Sequence, residues 1–454
     1  MTTARERSGT LDERSIRKIA GLSLVGASVE WFDFFLFGTA AALVFPRLFF
    51  PGENEFAGLL ASFAVLGVGF VARPLGGILW GHFGDRAGRK KAFLAALMTM
   101  AVASVLIGLL PTYAAIGIAA PILLTVLRFA QGLAVGGQWG GAVLLATEFA
   151  PRHRRGFYGS FAQIGVPIGV LLGVVAFFLL GISMDQAAFD AYGWRIPFVA
   201  SVVLVGVAIY AKNRLEDTPA FKRLQKLAAE NPDAKAAQER SPVLEAIRHH
   251  WGRILLAGGA FTVVNTTFYL YITFMLSYGT KTVGLSQPEM LAAIAIAAVI
   301  QIPALAIFAA ISDRIGRRTM YIAGSVVTAL WAYPLFLLAD LGTLWSMTVS
   351  ITVAQLALSM MYGPLAAFFS EMFTAKLRYS GASLGYQLGA LLGGAIAPLL
   401  AVYLQKVTGG TGAISVYIIV VSALAIACTL ALTETYQNDM EDTEDTEDTE
   451  RAAT

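Results

Sequence analysis

The sequence predicts an all-α membrane protein of twelve transmembrane helices arranged as two six-helix halves, and three observations lead there. The 454-residue chain is 57% hydrophobic and only 14% charged, too apolar for a water-soluble globule of that size. Apolar runs recur along it, each near the roughly 20 residues that a helix needs to cross a bilayer core. Barrel-type alternation is absent, which leaves helices as the spanning structure. Finally, the chain repeats itself: "GDRAGRK" at 84–90 returns as "SDRIGRR" at 312–318, about half a chain later.

Taken in order, the spans are expected near 20–45, 56–80, 92–110, 121–149, 157–180 and 194–211. After a charged linker over 212–253 they continue near 254–278, 290–311, 319–338, 344–370, 379–404 and 412–433. The fifth and eleventh carry matched glycines four apart, Gly165, Gly169 and Gly173 against Gly385, Gly389 and Gly393. That spacing lets helices approach closely in lipid. Residues 1–19 form a charged N-terminal segment. Residues 434–454 contain "EDTEDTEDTE", an acidic period-three tail with no apolar seam, expected to be disordered.

Orientation follows from the basic residues. Of 33 Lys and Arg, 27 fall in the N-terminus, the linker, the tail and the loops after even-numbered spans, while the opposite loops hold Arg47, Lys281 and Lys406. The positive-inside rule therefore places both termini in the cytoplasm. The net charge of +3 reports this topology rather than nucleic-acid binding. A lone cysteine, Cys428, excludes an intrachain disulfide and a cysteine metal cluster. His82, His153, His249 and His250 all map to loops or span ends, so neither a metal site nor an intramembrane enzyme is expected.

Charge inside the spans is costly and usually faces a cavity or a partner. The first span holds Glu30 and Asp33, three apart on one helix face. The fourth holds Arg128, in a stripe with Gln131, Val135, Gln138 and Ala142. Asp33 is read as the proton carrier, with Arg128 as its partner when ionised and as the substrate anchor when Asp33 is protonated; Glu30 is the second choice. Arg73, near the inner end of the second span, is a candidate substrate ligand, but snorkelling toward the cytoplasmic surface or pairing with an adjacent carboxylate is the favoured reading. Arg195, beside Trp194, reads as an interfacial anchor. In the second half, Asn265, Thr266, Thr267, Tyr269 and Tyr271, with Tyr362 and Ser370, offer hydroxyls and amides but no mid-span charge. Gln163 and Gln387 sit in the matched fifth and eleventh spans.

The duplicated layout, with "GHFGDRAGRK" at 81–90, resembles the major facilitator superfamily. "VEWFDF" (29–34), "ARPLGG" (72–77), "RFAQGLAVGGQWGGA" (128–142), "GWRIPF" (193–198) and "EMFTAKLRYSGASLGYQ" (371–387) are similar to its metabolite:proton symporter branch. Gln138 stands where most of that branch has Glu, a departure that leaves the proton count open. The resemblance implies a gating motif of Gly81, Asp85, Arg86, Gly88 and Arg89, repeated as Asp313, Arg314, Gly316 and Arg317, with Asp85 latching the second helix to the eleventh near Arg378. It also implies a monomeric symporter in the cell membrane, importing a shikimate-like or dicarboxylic acid on the proton gradient without a cofactor. The rivals are an osmolyte symporter for proline or betaine, and a non-transporting membrane receptor.

Overall fold

The computed structural model describes residues 13–52, 54–87, 89–136, 147, 150–213, 242–373 and 378–436, with some side chains near the helix ends left out. Among the described residues there is no strand, and the long helices follow one another in the expected order. We label them α1 (Glu13–Leu43), α2 (Glu55–Ala87), α3 (Arg89–Leu109), α4 (Ala119–Gly136), α5 (Arg155–Ser183) and α6 (Arg195–Asn213). The second half comprises α7 (Pro242–Tyr269 with its continuation to Val283), α8 (Gln287–Ile315), α9 (Arg317–Ala339) and α10 (Leu344–Glu371). It closes with α11 (Arg378–Ala390, continuing through Ala397–Thr408) and α12 (Gly412–Ala431). Ten of the twelve are long and apolar enough to cross a membrane, and α3 contributes the shorter apolar stretch Ala95–Leu109.

Several helices overrun their predicted ends. α1 begins at Glu13, α2 runs on to Ala87, and α7 begins at Pro242, within the stretch read as linker, before bending at His250. Hydropathy marks where a helix meets apolar surroundings, whereas the hydrogen-bond ladder continues as long as nothing breaks it. Three π-turns widen the second half: Leu270–Phe274 and Gly279–Val283 in α7, and Leu391–Ala395 in α11. Such bulges often mark functional sites.

The glycine repeats pack equivalent helix pairs. A Cβ on Gly165 or Gly169 would press on Ala27 or on the Trp31–Phe32 backbone, so α5 lies tight on α1. Gly385, Gly389 and Gly393 meet Ala257, Gly258 and Thr262 in the same manner, seating α11 on α7. Closest of all is α2 against α4, where a Cβ on Gly76, Gly132 or Gly136 would overlap the carbonyl oxygen of Leu133, Gly69 or Arg73. Only hydrogen fits there.

Contacts between the halves reach both ends of the bundle. At one end, which we call the charged end, the α5 amides of Gly156 and Phe157 bond to Asp313 of α8. At the other end of the same pair, a Cβ on Gly181 would lie 3.6 Å from the Gln287 amide nitrogen. α1 also meets α7, where Phe35 packs 5.0 Å from Phe268, and α2 meets α11, where Gly394 abuts Phe70.

Candidate functional site

The middle of the bundle holds two arginines in an aromatic chamber. Arg128, on α4, is 0% exposed, and Arg73, on α2, is 1% exposed. The Arg128 guanidinium carbon lies 4.1 Å from the Phe34 ring centre and 4.2 Å from that of Phe37. That of Arg73 lies 4.2 Å from Phe34, 4.6 Å from Phe70 and 5.5 Å from Trp31. Gly69, one turn before Arg73, makes the room: a Cβ there would stand 2.7 Å from the Arg128 Nε. Arg128 donates through Nη1 to Gln131 at 3.0 Å, and Gln131 donates to Ser104 at 2.8 Å. Its Nε and Nη2, with all three nitrogens of Arg73, have no hydrogen-bond partner. Buried donors are rarely left so.

Asp33 is buried near the hydroxyls of Ser104 and Ser201, and neither carboxylate oxygen has a hydrogen-bond partner. The expected ion pair with Arg128 is therefore not formed. Two polar side chains intervene: Arg128 donates one bond to Gln131, Gln131 donates to Ser104, and Asp33 lies near Ser104. From the other half, Tyr269 enters the chamber at the start of the first π-turn, its ring 4.9 Å from Phe70 and its hydroxyl close to both arginines and unpartnered. The Asn265 amide nitrogen, the Thr266 hydroxyl and the Gln387 amide oxygen are likewise buried and unpartnered.

At the charged end, Asp313 accepts from the Gly156 and Phe157 amides at 2.8 and 2.9 Å, capping the N-terminus of α5 from the opposite half. It also pairs with Arg317 at 2.6 Å. Glu371, at the end of α10, accepts from Arg317 at 3.4 Å and from Arg155 of the first half at 3.5 Å. The segment after α12 joins the cluster: Thr435 donates to Glu371 at 2.8 Å, and Glu434 accepts from the Arg317 and Arg318 amides at 2.9 and 3.1 Å. Carboxylate caps at helix N-termini are favourable for charge as well as for hydrogen bonding. Gly156 has no space for a side chain, since a Cβ would meet the Ala309 carbonyl oxygen at 2.8 Å.

Set against the sequence expectations, the structure brings Asp33, Arg128 and Gln131 together and adds Ser104, the aromatic walls and the two glycine contacts. Arg73 corrects the snorkelling expectation, because it is enclosed rather than reaching for the surface. Gln163 donates to the Tyr362 carbonyl at 3.3 Å, a contact between halves rather than a chamber wall. Thr267 and Ser370 bond back to their own helices. Arg195 donates to the Gly108 and Leu110 carbonyls at the end of α3, beside Trp194, which is fully buried. Asp313, Gly316 and Arg317 join the charged cluster, whereas Arg314 is exposed beside it. Gln138 and Gly88, with the side chains of Glu30, Asp85, Arg86, Arg89 and Arg378 and the surroundings of Gly81, lie outside the described residues, as does the acidic tail beyond 436.

Two helical halves enclosing a buried polar chamber, and joined at both ends, define a membrane carrier. Residues 20–446 match the family model "Sugar (and other) transporter". The shikimate transporter of Escherichia coli K12 is 39% identical over 421 residues, covering 92% of this chain and 95% of that protein. The proline/betaine transporter of the same organism is 31% identical, covering 94% and 85%. Among solved structures, the proton:xylose symporter XylE bound to 6-bromo-6-deoxy-D-glucose superposes with a TM-score of 0.73 at 18% identity, covering 96% of this chain and 100% of that one. The chain belongs to the Sugar (and other) transporter family of the major facilitator superfamily. It is a transporter and not an enzyme.

Proposed function

We propose that the protein is a proton-coupled symporter that imports a small organic acid by alternating access, with Asp33 as the proton carrier and Arg128 as the anchor for the acid. The observation that carries this reading is Arg128 itself, a fully buried cation with two unpaired nitrogens in the chamber where α1, α2, α4 and α7 meet. Isolated charge is costly at such depth. A ligand carboxylate supplies both the missing acceptors and the opposite charge, in the planar geometry that arginine matches. The same observation disfavours a neutral solute, and the relative named as a shikimate transporter points to an acid as well. A zwitterionic osmolyte, suggested by the proline/betaine relatives, offers one carboxylate but brings a cation to a chamber that already holds two.

Coupling follows from the hydrogen-bonded path. Arg128 donates to the Gln131 amide oxygen and Gln131 donates to the Ser104 oxygen, which leaves the Ser104 hydroxyl proton available to Asp33, whose carboxylate oxygens are otherwise unpartnered. When the acid draws Arg128 away, Gln131 loses its acceptor role and Ser104 is freed to rotate, so occupancy of the anion site changes the donors around Asp33. One binding event thereby favours the other, and the coupling is reciprocal. The charged end is read as cytoplasmic on the positive-inside argument. The working unit is one chain in the cell inner membrane, driven by the proton gradient and using no cofactor.

The test is uptake of labelled organic acids into proteoliposomes with an imposed inward proton gradient. The parent protein is expected to concentrate an acid only while the gradient lasts. Asp33→Asn is expected to lose that accumulation yet keep exchange of labelled for unlabelled solute, since the amide imitates the protonated acid. Gradient-driven accumulation by Asp33→Asn equal to the parent's would remove Asp33 from the coupling step.

A further inference from the structure

We propose that the cavity between the halves at the end opposite the charged cluster is a second site for the carboxylate of the transported acid, held there by Lys281 and Lys406 before it reaches Arg128. This rests on the reading above that the solute is an acid, and on the orientation given there, which turns this end outward.

The case begins with how few basic residues this end has. The positive-inside rule keeps them out of the outer loops, and only Arg47, Lys281 and Lys406 stand there, after the first, seventh and eleventh spans. The fold gathers all three. Lys281 and Lys406 line one cavity of about 380 Å³, which Glu55 and Phe56 of α2 line from the other half. Lys281 lies within electrostatic reach of Arg47 and of Glu55, and the Lys406 Nζ sits 5.9 Å from the Phe56 ring centre. Neither lysine forms an ion pair among the described residues.

Other acids at this end are engaged elsewhere. Asp190 pairs with Arg47 at 2.9 Å, Asp340 accepts from the Tyr278 hydroxyl, Asp185 accepts from the Ala188 amide at 2.8 Å, and Glu289 closes the capping box of α8 with Ser286. Glu55 lies in the first turn of α2, where the helix amides already favour a carboxylate. Glu53 lies outside the described residues, so what the lysines offer is access rather than a net charge. Both reach a cavity large enough for a small acid, beside the Ser277 hydroxyl and the Gln405 amide.

A polar line joins this cavity to the chamber. Tyr269, Thr273, Ser277 and Lys281 follow one another at intervals of four along α7, and the first three are at most 3% exposed. Tyr269 borders the arginines, the unpartnered Thr273 hydroxyl lies against Gly38 of α1, and Ser277 and Lys281 line the cavity. A regular α-helix would carry such a series around its axis, since four residues exceed its turn of 3.6. The wider π-turns at Leu270–Phe274 and Gly279–Val283 absorb that excess, so all four residues face the first half. An acid leaving Lys281 therefore meets hydroxyls on its way to Arg128.

The experiment uses the purified full-length protein in proteoliposomes, with a Thr282→Cys reporter on the cavity wall in a Cys428→Ser background, and measures labelling by a polar thiol reagent as shikimate or succinate is added. Each acid is expected to slow labelling by about threefold or more once the site is mostly filled, whereas the corresponding amides and an equal concentration of chloride leave it unchanged. R128Q, which removes the chamber anchor, is expected to keep that protection. K281Q/K406Q is expected to abolish it and K281R/K406R to retain it, each variant being checked for folding by its melting temperature. In uptake without the reporter, K281Q/K406Q is expected to lower kcat/KM about tenfold and to flatten its fall with added salt. Protection that vanishes in R128Q or persists in K281Q/K406Q overturns the proposal, as does an unchanged kcat/KM. Absent protection in a parent that still carries either acid also overturns it and leaves the acid symporter standing. A parent that neither carries nor is protected by either acid fails both readings.

Discussion

Phe34 and Phe37, on α1, both lie against the Arg128 guanidinium, and its bond to Gln131 fixes one nitrogen, so the group is held before any ligand arrives. Preorientation of this kind depends on planarity, which lysine lacks. Arg128→Lys is expected to raise the KM for an acid by about tenfold, with kcat reduced less, because one charge is kept while the stacked fork and the bond to Gln131 are lost. Initial-rate uptake over a range of substrate concentrations reads both constants, and an unchanged KM would move the anchor elsewhere. At this scale the sequence was most informative where a single residue type is costly: Asp33 and Arg128 stand out because few charges interrupt the spans. Arg73 was legible as a charge but not as a chamber residue. What hides it is the side chains that enclose it, Trp31, Phe34 and Phe70, two of which come from a different helix. Ser104 and Ser201 gave no signal at all, since a serine in an apolar helix is ordinary until a carboxylate is seen beside it.

Helix pairs are where pattern and packing agreed best. Glycines four apart are common in membrane helices, yet here the two sets engage equivalent neighbours, α1 for α5 and α7 for α11, so repetition rather than spacing was the informative part. The π-turns escaped prediction because they alter the backbone ladder without altering composition: "LYITF" reads as a regular apolar turn. Their effect is concrete, for the extra residue ahead of Met275 lets Tyr269 and the residues beyond the turn face different neighbours than an unbroken helix would allow. The α5 N-terminus supplies an element-scale test. Gly156→Ala forces a methyl against the Ala309 carbonyl and Asp313, which separates the amides of α5 from their cap. We expect a protein that still inserts and folds but melts several degrees lower, with faster labelling of an Ala366→Cys reporter by a polar thiol reagent in a Cys428→Ser background. Unaltered melting and labelling would mean that the α8 end does not hold α5.

Across the whole molecule, the chamber and the charged end work as one device. The halves are joined there by Arg155, Glu371, Arg317 and Asp313, and separating them breaks every bond that crosses the junction. Ion pairs of this sort contribute little to net stability when intact, but removing one member leaves the others buried without partners. Glu371→Gln is accordingly expected to favour the arrangement open at the charged end: the same Ala366→Cys reporter should label faster, and outward-facing inhibitors should bind more weakly. Equal labelling in parent and variant would show that the cluster is inert. The matched "SDRIGRR" motif announced a role for Asp313 and Arg317, whereas Glu371, Glu434 and Thr435 were invisible as a group, because 63 residues and two helices separate Glu371 from Glu434. Their meeting sets a boundary for where the polypeptide can end. Residues 434 and 435 hold the first amides of α9 and the Glu371 carboxylate, so they are the last links of a working machine rather than the start of a dispensable tail. A chain stopped after Tyr436 should transport as the 454-residue one does. A chain stopped after Thr433, only three residues shorter, should lose much of its activity while reaching the membrane in equal amount, and comparing the two by uptake per mole of protein locates the functional terminus to within a single turn of chain.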